Sequence, residues 1–181
     1  ALPYMRARQF GRIGNIVSIG GKVAAPHLAP YITSKFAAAG FTQSLRSELV
    51  RENIYVTGVY PMTIRTGGHT HAWFKGDQKA EYAWFGLGDT IPGLSASADR
   101  SARAVLRAVC DGEANLFVGF PSRVAAAVDG LVPGWSAEAL TLVNQALPAP
   151  INLDAPAVQG QNLEGKIPTL LNKLVPETAR P

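Results

Sequence analysis

The chain has 181 residues and is 47% hydrophobic and 17% charged, a composition typical of a globular protein rather than of a disordered or fibrous one. Its formal net charge is +4, but the 17 Lys and Arg residues are scattered instead of forming a stripe, which argues against a nucleic-acid binder. No apolar run reaches the ~18 residues of a membrane span, and the single cysteine, Cys110, excludes a disulfide framework, so we expect a cytoplasmic protein.

Helical and strand-like segments alternate along the first two thirds of the chain. In order, the pattern predicts a helix ending at Gly11, a strand at 12–21, a helix from Pro30 to Glu52, a strand at 54–61, a helix at 96–112 and a strand at 115–121. Strands that alternate with helices pair in parallel through right-handed crossovers. The predicted fold class is therefore α/β, a partial doubly wound, Rossmann-like parallel sheet of about three strands with flanking helices.

The segment at about 67–95 is too long for an ordinary connection and is rich in aromatic residues, so we interpret it as a substrate loop. Its aromatic side chains either form a lid over a hydrophobic substrate or cover an open sheet edge. After it, two short helices split by Pro133 and Gly134 lead to an irregular tail. We predict one domain over 1–147 and a loosely packed extension over 148–181, in which the patch IPTLLNKLV is only weakly indicative of a membrane surface.

Tyr31 and Lys35 lie one helical turn apart at the start of the long predicted helix. Side chains at that spacing share a helix face, so the ammonium can lie near the phenol. A nearby positive charge favours phenolate and lowers the pKa of a phenol from its usual value near ~10. The pair suits general acid–base catalysis near neutral pH, although a purely structural role for this spacing stays open.

Ser18 ends the preceding strand, at the edge where open α/β sheets bind their ligands. A hydroxyl there can donate a hydrogen bond to a substrate oxygen as charge builds on it, or it can simply cap the strand end. The segment YPMTIRT (60–66) leaves the next parallel strand at the same edge. The topology thus predicts that these segments and Tyr31 converge on one site.

The segments NIVSIGG, APYITSK and YPMTIRT resemble, in order and spacing, the motifs of the classical short-chain dehydrogenase/reductase (SDR) family. The resemblance covers most of residues 1 to about 120. It implies an NAD(P)-dependent oxidoreductase that interconverts a carbonyl and an alcohol by hydride transfer. The long helix after Lys35 also resembles the family's long helix, whose small residues often pack in a subunit interface.

The resemblance assigns three catalytic residues. Tyr31 is implied as the general acid or base on the substrate oxygen, Lys35 as the residue that tunes it and binds the nicotinamide ribose, and Ser18 as the residue that polarises the substrate oxygen. The residues implied at the nicotinamide are Tyr31, Lys35, Pro61, Met62, Ile64 and Thr66. The residues predicted to contact a small carbonyl or alcohol substrate are Ser18, Tyr31, His27 and Trp73. His69 and His71 lack a third ligand at suitable spacing, so we expect no metal.

The sequence departs from the family in having no glycine-rich turn after a first strand, where backbone N–H groups would meet the cofactor's pyrophosphate. We therefore expect the chain to be the C-terminal portion of such a domain, truncated, without the N-terminal nucleotide-binding half and inactive without it. The cofactor is either NAD or NADP. A bare sheet edge and the small residues after Lys35 predict a homo-oligomer such as a dimer.

A competing hypothesis is a non-catalytic α/β interaction or dimerisation module, in which Tyr31 and Lys35 form an interface pair. Substitutions at Ser18, Tyr31 and Lys35 discriminate between the two hypotheses, because only an enzyme loses turnover when these side chains are removed.

Overall fold

The structure is a computed structural model that describes residues 1–90, 95–149, 151 and 154–163, without the side chains of residues 87–90. It divides into two compact units, Ala1–Met62 with Asp99–Thr141, and Thr63–Ala98 with Leu142–Pro181. The predicted boundary between residues 147 and 148 stays a prediction.

Along the chain, the first elements are α1 (Leu2–Ala7), β1 (Gly11–Ile16), a 3₁₀ helix at Ile19–Gly21, α2 (Ala29–Leu49), a 3₁₀ helix at Val50–Glu52, β2 (Ile54–Pro61), β3 (Thr63–Arg65), α3 (Gly68–His71) and β4 (Trp73–Phe74). They are followed by α4 (Gln78–Thr90), β5 (Ser95–Ser97), α5 (Ala98–Asp111), β6 (Asn115–Val118), α6 (Phe120–Leu131), α7 (Pro133–Gln145), β7 (Val158–Gln159) and a 3₁₀ helix at Gly160–Asn162.

The first unit is built on a parallel three-stranded sheet in the order β1-β2-β6. Gly11 lies opposite Ile54 in the β1–β2 pair, and Pro61 lies opposite Val118 in the β2–β6 pair. Each pair of strands is joined through helices, as parallel pairing requires. The prediction of an α/β fold with a parallel sheet of about three strands and flanking helices is confirmed.

Helix α2 packs on this sheet through aliphatic side chains. Near the carboxyl ends of the strands, Ala39 of α2 packs with Val17 and Tyr60, all three at most 4% exposed. At the opposite end, Leu49 packs with Ile54 and Val56. The two α2 residues lie about three helical turns apart and the β2 residues lie at alternate positions, which is why helix and sheet bury one common face.

The second unit holds two small sheets, parallel β3–β5 and antiparallel β4–β7. Phe74, Tyr82 and Leu163 form its buried cluster. The segment interpreted as a long aromatic loop contains α3, β4 and α4. Tyr82 and Phe85 lie on one side of α4, and both pack against Phe74 of β4. Residues 91–94 of that segment lie outside the described residues.

The two helices predicted on either side of Pro133 and Gly134 are α6 and α7, but Pro133 and Gly134 are the first residues of α7 and not a separate linker. Pro121 occupies the first turn of α6, where its missing N–H costs nothing. The tail is described only in part, and the apolar patch at 167–175 lies outside the described residues. Within the described part of the chain, no helix is long and apolar enough to cross a membrane.

Candidate active site

Ser18 lies in the turn that follows β1. The N–H of Val17 donates to the Val59 carbonyl over 2.8 Å, which extends the pairing with β2 up to the residue before Ser18. The Ser18 side chain is buried, and its Oγ accepts a hydrogen bond from the N–H of Gly20 over 3.0 Å. Because this bond uses a lone pair and not the hydroxyl hydrogen, Ser18 caps the turn and can still donate to a ligand oxygen.

Tyr31 and Lys35 lie in the first two turns of α2, which begins with Ala29 and Pro30. The Lys35 Nζ lies 5.5 Å from the centroid of the Tyr31 ring. Lys35 is half-buried, whereas Tyr31 is 44% exposed. The ammonium therefore lies beside an accessible phenol ring.

Gly20 brings Ser18 and Tyr31 to one place. A Cβ built on Gly20 would lie 3.4 Å from the Ser18 Oγ and 3.3 Å from the Tyr31 Cε1. Both side chains therefore pack close to Gly20 and to each other. A hydroxyl donor and a phenol that lie this close together can act on the same substrate oxygen.

Tyr60 packs beneath this turn and is fully buried. Its ring stacks on Phe117 with centroids 5.2 Å apart, and the Lys22 Nζ lies 5.0 Å from the Tyr60 ring centroid. Burial raises the pKa of Tyr60, which a nearby Gln43 partly offsets, although the hydroxyl forms no hydrogen bond of good geometry among the described residues. Burial also lowers the pKa of Lys22.

The first unit also contains three of the other predicted site residues. Pro61 and Met62 are half-buried where β2 ends, at the same sheet edge as the Ser18 turn. His27 is exposed and has a φ of 64°, in the left-handed region that His adopts more readily than most residues.

The remaining predicted residues belong to the second unit. Ile64 lies in β3 opposite Ala96, and its carbonyl accepts a hydrogen bond from the Thr66 hydroxyl over 3.3 Å. Trp73, in β4, is 69% exposed. His69 is buried in α3 with its ring near Tyr82, and no group of three or more metal-ligating side chains occurs in the described part of the chain.

The sequence analysis missed the roles of Gly20 and Gly21. Neither has a positive φ, so neither is required by the backbone conformation. A Cβ at either position would instead collide with α2, at the Ile32 Cδ1 for Gly20 and at the Lys35 carbonyl oxygen for Gly21. Two adjacent glycines that follow a strand-end serine after one intervening residue are the sequence signal for such close approach.

A protein-family model matches the N-terminal part of the chain. The family model described as short chain dehydrogenase matches residues 1–75, a segment that contains Ser18, Tyr31 and Lys35. These residues are homologous to short-chain dehydrogenases. The match ends within the second unit, and residues 76–181 lie outside it.

Curated relatives show a similarity to the same family of proteins. The chain is 35% identical over 117 residues to the dehydrogenase/reductase SDR family protein 7-like of Anopheles gambiae, covering 65% of this chain and 35% of that protein. It is 34% identical over 125 residues to SadH of Mycobacterium tuberculosis, whose name marks its oxidoreductase assignment as provisional, covering 67% of this chain and 44% of that protein. The chain thus spans less than half the length of either relative.

One prediction is wrong. The chain was expected to be only the C-terminal portion of the family domain, but the family model matches residues 1–75, where β1 is followed by α2. The match lies in the N-terminal half of this chain, not in its C-terminal half. The missing glycine-rich turn was therefore the wrong basis for placing the chain within the family domain.

Solved structures agree on the fold. A short chain dehydrogenase from Burkholderia cenocepacia in complex with NADP superposes with a TM-score of 0.56 at 22% identity, covering 77% of this chain and 50% of that chain. A 3-oxoacyl (acyl-carrier-protein) reductase from Agrobacterium tumefaciens with NADP bound gives a TM-score of 0.50 at 19% identity, covering 65% and 47%. At these identities the likeness establishes the Rossmann-like fold alone.

Proposed function

We propose that this chain carries the proton-transfer site of an NAD(P)-dependent oxidoreductase that interconverts a carbonyl and an alcohol. The observation that carries the proposal is the arrangement around Gly20. The Ser18 Oγ and the Tyr31 Cε1 lie 3.4 and 3.3 Å from the position that a Gly20 Cβ would take, and the Lys35 ammonium lies 5.5 Å from the ring centroid.

In the proposed reduction, Ser18 donates a hydrogen bond to the carbonyl oxygen while Tyr31 transfers its phenolic proton to that oxygen as negative charge builds there. Lys35 stabilises the phenolate that remains. In the oxidising direction, Tyr31 takes the proton from the alcohol. NAD or NADP, when bound, supplies or accepts the hydride.

The residues present fit the nicotinamide end of such a cofactor. Among the described residues Lys35 forms no ion pair, so its half-buried ammonium has donors available for ribose hydroxyls. Pro61 and Met62 offer apolar surface at the same sheet edge. We assign Ile64 and Thr66 to the nicotinamide as well, because both lie in the motif YPMTIRT. We assign His27 to the substrate because it lies four residues before Tyr31, and Trp73 because it lies in the long aromatic segment.

The test uses the full-length protein that contains these residues, with NADPH or NADH oxidation as the readout. Ser18→Ala, Tyr31→Phe and Lys35→Met are each expected to lower kcat by about 10²- to 10⁴-fold, the usual contribution of a positioned proton donor. Tyr4→Phe and Lys75→Met are the matched controls, because both side chains are exposed. Unchanged turnover in the three site variants would mean that another group transfers the proton. Absence of turnover in the wild-type protein would favour the non-catalytic interaction module instead.

We also propose that the protein self-associates in the cytoplasm through α2. Phe36 and Phe41 are 45% and 62% exposed on this helix, and nothing lies within 4 Å of the position that a Gly40 side chain would take. An open glycine between exposed aromatic residues suits close approach of a second chain. Phe41→Ser is expected to shift the protein towards monomer in sedimentation velocity, and an unchanged profile would exclude this surface.

A further inference from the structure

Helix α6 has a row of exposed apolar side chains on one face. This row, the α6 stripe, consists of Phe120, Val124, Ala127, Val128 and Leu131, which lie at helical spacing. Phe120 and Leu131, at its two ends, are 78% and 81% exposed, and the two valines are 42% and 46% exposed. A helix in water normally buries its apolar face, so the α6 stripe has the character of a contact surface.

The apolar surface continues into the start of α7. Trp135, four residues after Leu131, is 79% exposed. Ser136 ties this turn to α6, because its N–H donates to the Val132 carbonyl over 3.1 Å and its hydroxyl to the Asp129 carboxylate over 2.7 Å. Aromatic side chains bury about 150–250 Å² each when covered, so the α6 stripe together with Trp135 approaches the ~800 Å² per partner of a standard protein interface.

Charge distinguishes the possible occupants of this surface. α6 and α7 together contain one basic residue, Arg123, and two acidic residues, Asp129 and Glu138. Helices that lie in a membrane surface are rich in Lys and Arg on their polar face. Interface cores are instead depleted of charged residues and enriched in aromatic residues and Arg. The composition of the two helices therefore favours a protein partner over a lipid surface.

The α6 stripe is complementary to itself when two copies run antiparallel about a two-fold axis. Phe120 of each copy then lies opposite Leu131 of the second copy. Val124 lies opposite Ala127, whose small side chain lets the two helices approach closely. Arg123 lies beside the last turn of the second copy's α6, where the helix dipole stabilises a cation. Among the described residues Arg123 forms no ion pair, so its guanidinium is available for this contact.

Gly130 supports the same arrangement. Glycine inside a helix is unfavourable compared with alanine, and nothing lies within 4 Å of the position that its Cβ would take. Gly130 follows Arg123 by seven residues and therefore lies on the same flank of the α6 stripe. Equal flanks meet across an antiparallel two-fold contact, so Gly130 leaves the backbone of the last turn accessible to Arg123 of the second copy.

We infer that the α6 stripe is an interface with a second copy of this chain, packed antiparallel about a two-fold axis near Val124 and Ala127. The inference does not depend on the proposed reaction, and it places a contact on a different helix from α2. Two different two-fold contacts predict a tetramer. If the α2 surface fails its own test, the α6 stripe alone predicts a dimer.

Sedimentation velocity of the full-length protein tests the surface. Leu131→Asp is expected to raise the Kd of association at least about 30-fold, the effect of losing an interface hot spot. The exposed position should tolerate the substitution, and circular dichroism checks that the variant folds. Leu106→Asp is the matched control, because Leu106 is an exposed leucine of α5, at 67%, and it should leave the profile unchanged.

A paired substitution tests the antiparallel alignment. Phe120→Lys should weaken association as Leu131→Asp does, but the two changes together should restore most of it. In the double variant the introduced ammonium of each copy faces the introduced carboxylate of the second copy. The two positions lie about 16 Å apart along one helix, so the charges cannot pair within a chain.

Weaker association in both single variants, with recovery in the double variant, supports the inference. Single variants that sediment as wild type does overturn it, as does a double variant that fails to recover. Co-sedimentation with phosphatidylcholine–phosphatidylserine vesicles is measured in parallel. Vesicle binding that Leu131→Asp abolishes without altering the sedimentation profile would identify a lipid surface as the occupant and overturn the inference. None of these readouts requires turnover, so failure of the proposed reaction is detected separately.

Discussion

Gly21 packs directly on the backbone of Lys35: a Cβ on Gly21 would lie 2.6 Å from the Lys35 carbonyl oxygen. The same Cβ would lie 2.7 Å from the Val17 Cγ1 and 3.2 Å from the Ala39 Cβ. The turn that contains Ser18 therefore packs against the turn of α2 that contains Lys35. Because the close neighbour is backbone and not a flexible side-chain tip, it cannot move aside cheaply.

Gly21→Ala is consequently expected to destabilise the chain by about 1–3 kcal/mol, the usual cost of overpacking, and to lower kcat in the full-length enzyme by separating Ser18 from α2. Urea unfolding measures the first effect. Gly86→Ala is the control and should stabilise by up to about 1 kcal/mol, because Gly86 is inside helix α4 with nothing within 4 Å of the position that its Cβ would take. Equal effects of the two substitutions would contradict the close contact.

Arg46 connects α2 to β2 and to the loop between α5 and β6. Its guanidinium donates to the carbonyl oxygens of Val56 (2.8 Å), Glu113 (3.2 Å) and Gly112 (2.9 Å). Arg46→Met should therefore lower the free energy of unfolding by about 2–3 kcal/mol, since these hydrogen bonds from a charged group are lost. Arg46→Lys should recover only part of this, because an ammonium lacks the planar fork. The Glu113 carbonyl would keep its hydrogen bond from the Thr57 hydroxyl, over 2.7 Å.

The control for Arg46 is Arg51→Met, at an exposed position, which should change the free energy of unfolding by less than about 0.5 kcal/mol. Urea unfolding of the three variants at neutral pH provides the comparison. Arg46→Met matching Arg51→Met would show that the carbonyls find other partners.

The sequence was sufficient for the elements that repeat a simple period. The run of apolar residues before Ser18 and the alternation in β2 predict the parallel strands, and Pro61 correctly marks the end of β2. The spacing of Tyr31 and Lys35 predicts their shared face, which the 5.5 Å separation of the Lys35 Nζ from the Tyr31 ring centroid bears out.

What the sequence could not supply depends on contacts between distant segments. The second unit gains its helices and strands from packing of Phe74, Tyr82 and Leu163, of which Leu163 lies about 80 residues from Tyr82, so no local period reveals it. In the same way, the reason for Gly21 becomes visible only when Lys35 is placed against it. The motifs were sufficient to propose Ser18, Tyr31 and Lys35 as site residues. They did not reveal that Ser18 and Tyr31 both pack against Gly20.

Because Tyr60 is buried, we expect wild type and Tyr60→Phe to differ in stability at alkaline pH. Burial raises its pKa above the usual value of 10.0, so its contribution is fully present below that pH and is lost as pH rises through the folded-state pKa. Tyr60→Phe should therefore lose less stability than wild type above about pH 10. At neutral pH it should not destabilise the chain, because the hydroxyl forms no well-aligned hydrogen bond.

The measurement is the free energy of unfolding as a function of pH for wild type, Tyr60→Phe and Tyr4→Phe. Tyr4 is 80% exposed and serves as the control, whose curve should follow wild type. A strong loss of stability in Tyr60→Phe at neutral pH would reveal a hydrogen bond to Gln43 that matters.

The ion pair between Arg6 and Glu52 predicts a small effect at acid pH. The Arg6 guanidinium donates to both Glu52 carboxylate oxygens, over 2.6 and 3.0 Å, and this hydrogen bonding lowers the pKa of Glu52. Stability from the pair is therefore present above the unfolded-state pKa near 4.5 and is lost as pH falls through the lower folded-state value. Glu52→Gln should remove this part of the acid dependence, and high salt should weaken it in wild type because the pair is exposed. Thermal unfolding from about pH 3 to about pH 6 at low and high salt is the measurement, with exposed Glu48→Gln as control. Wild type and Glu52→Gln with the same acid dependence would mean that Arg6 and Glu52 pair too weakly to affect folding.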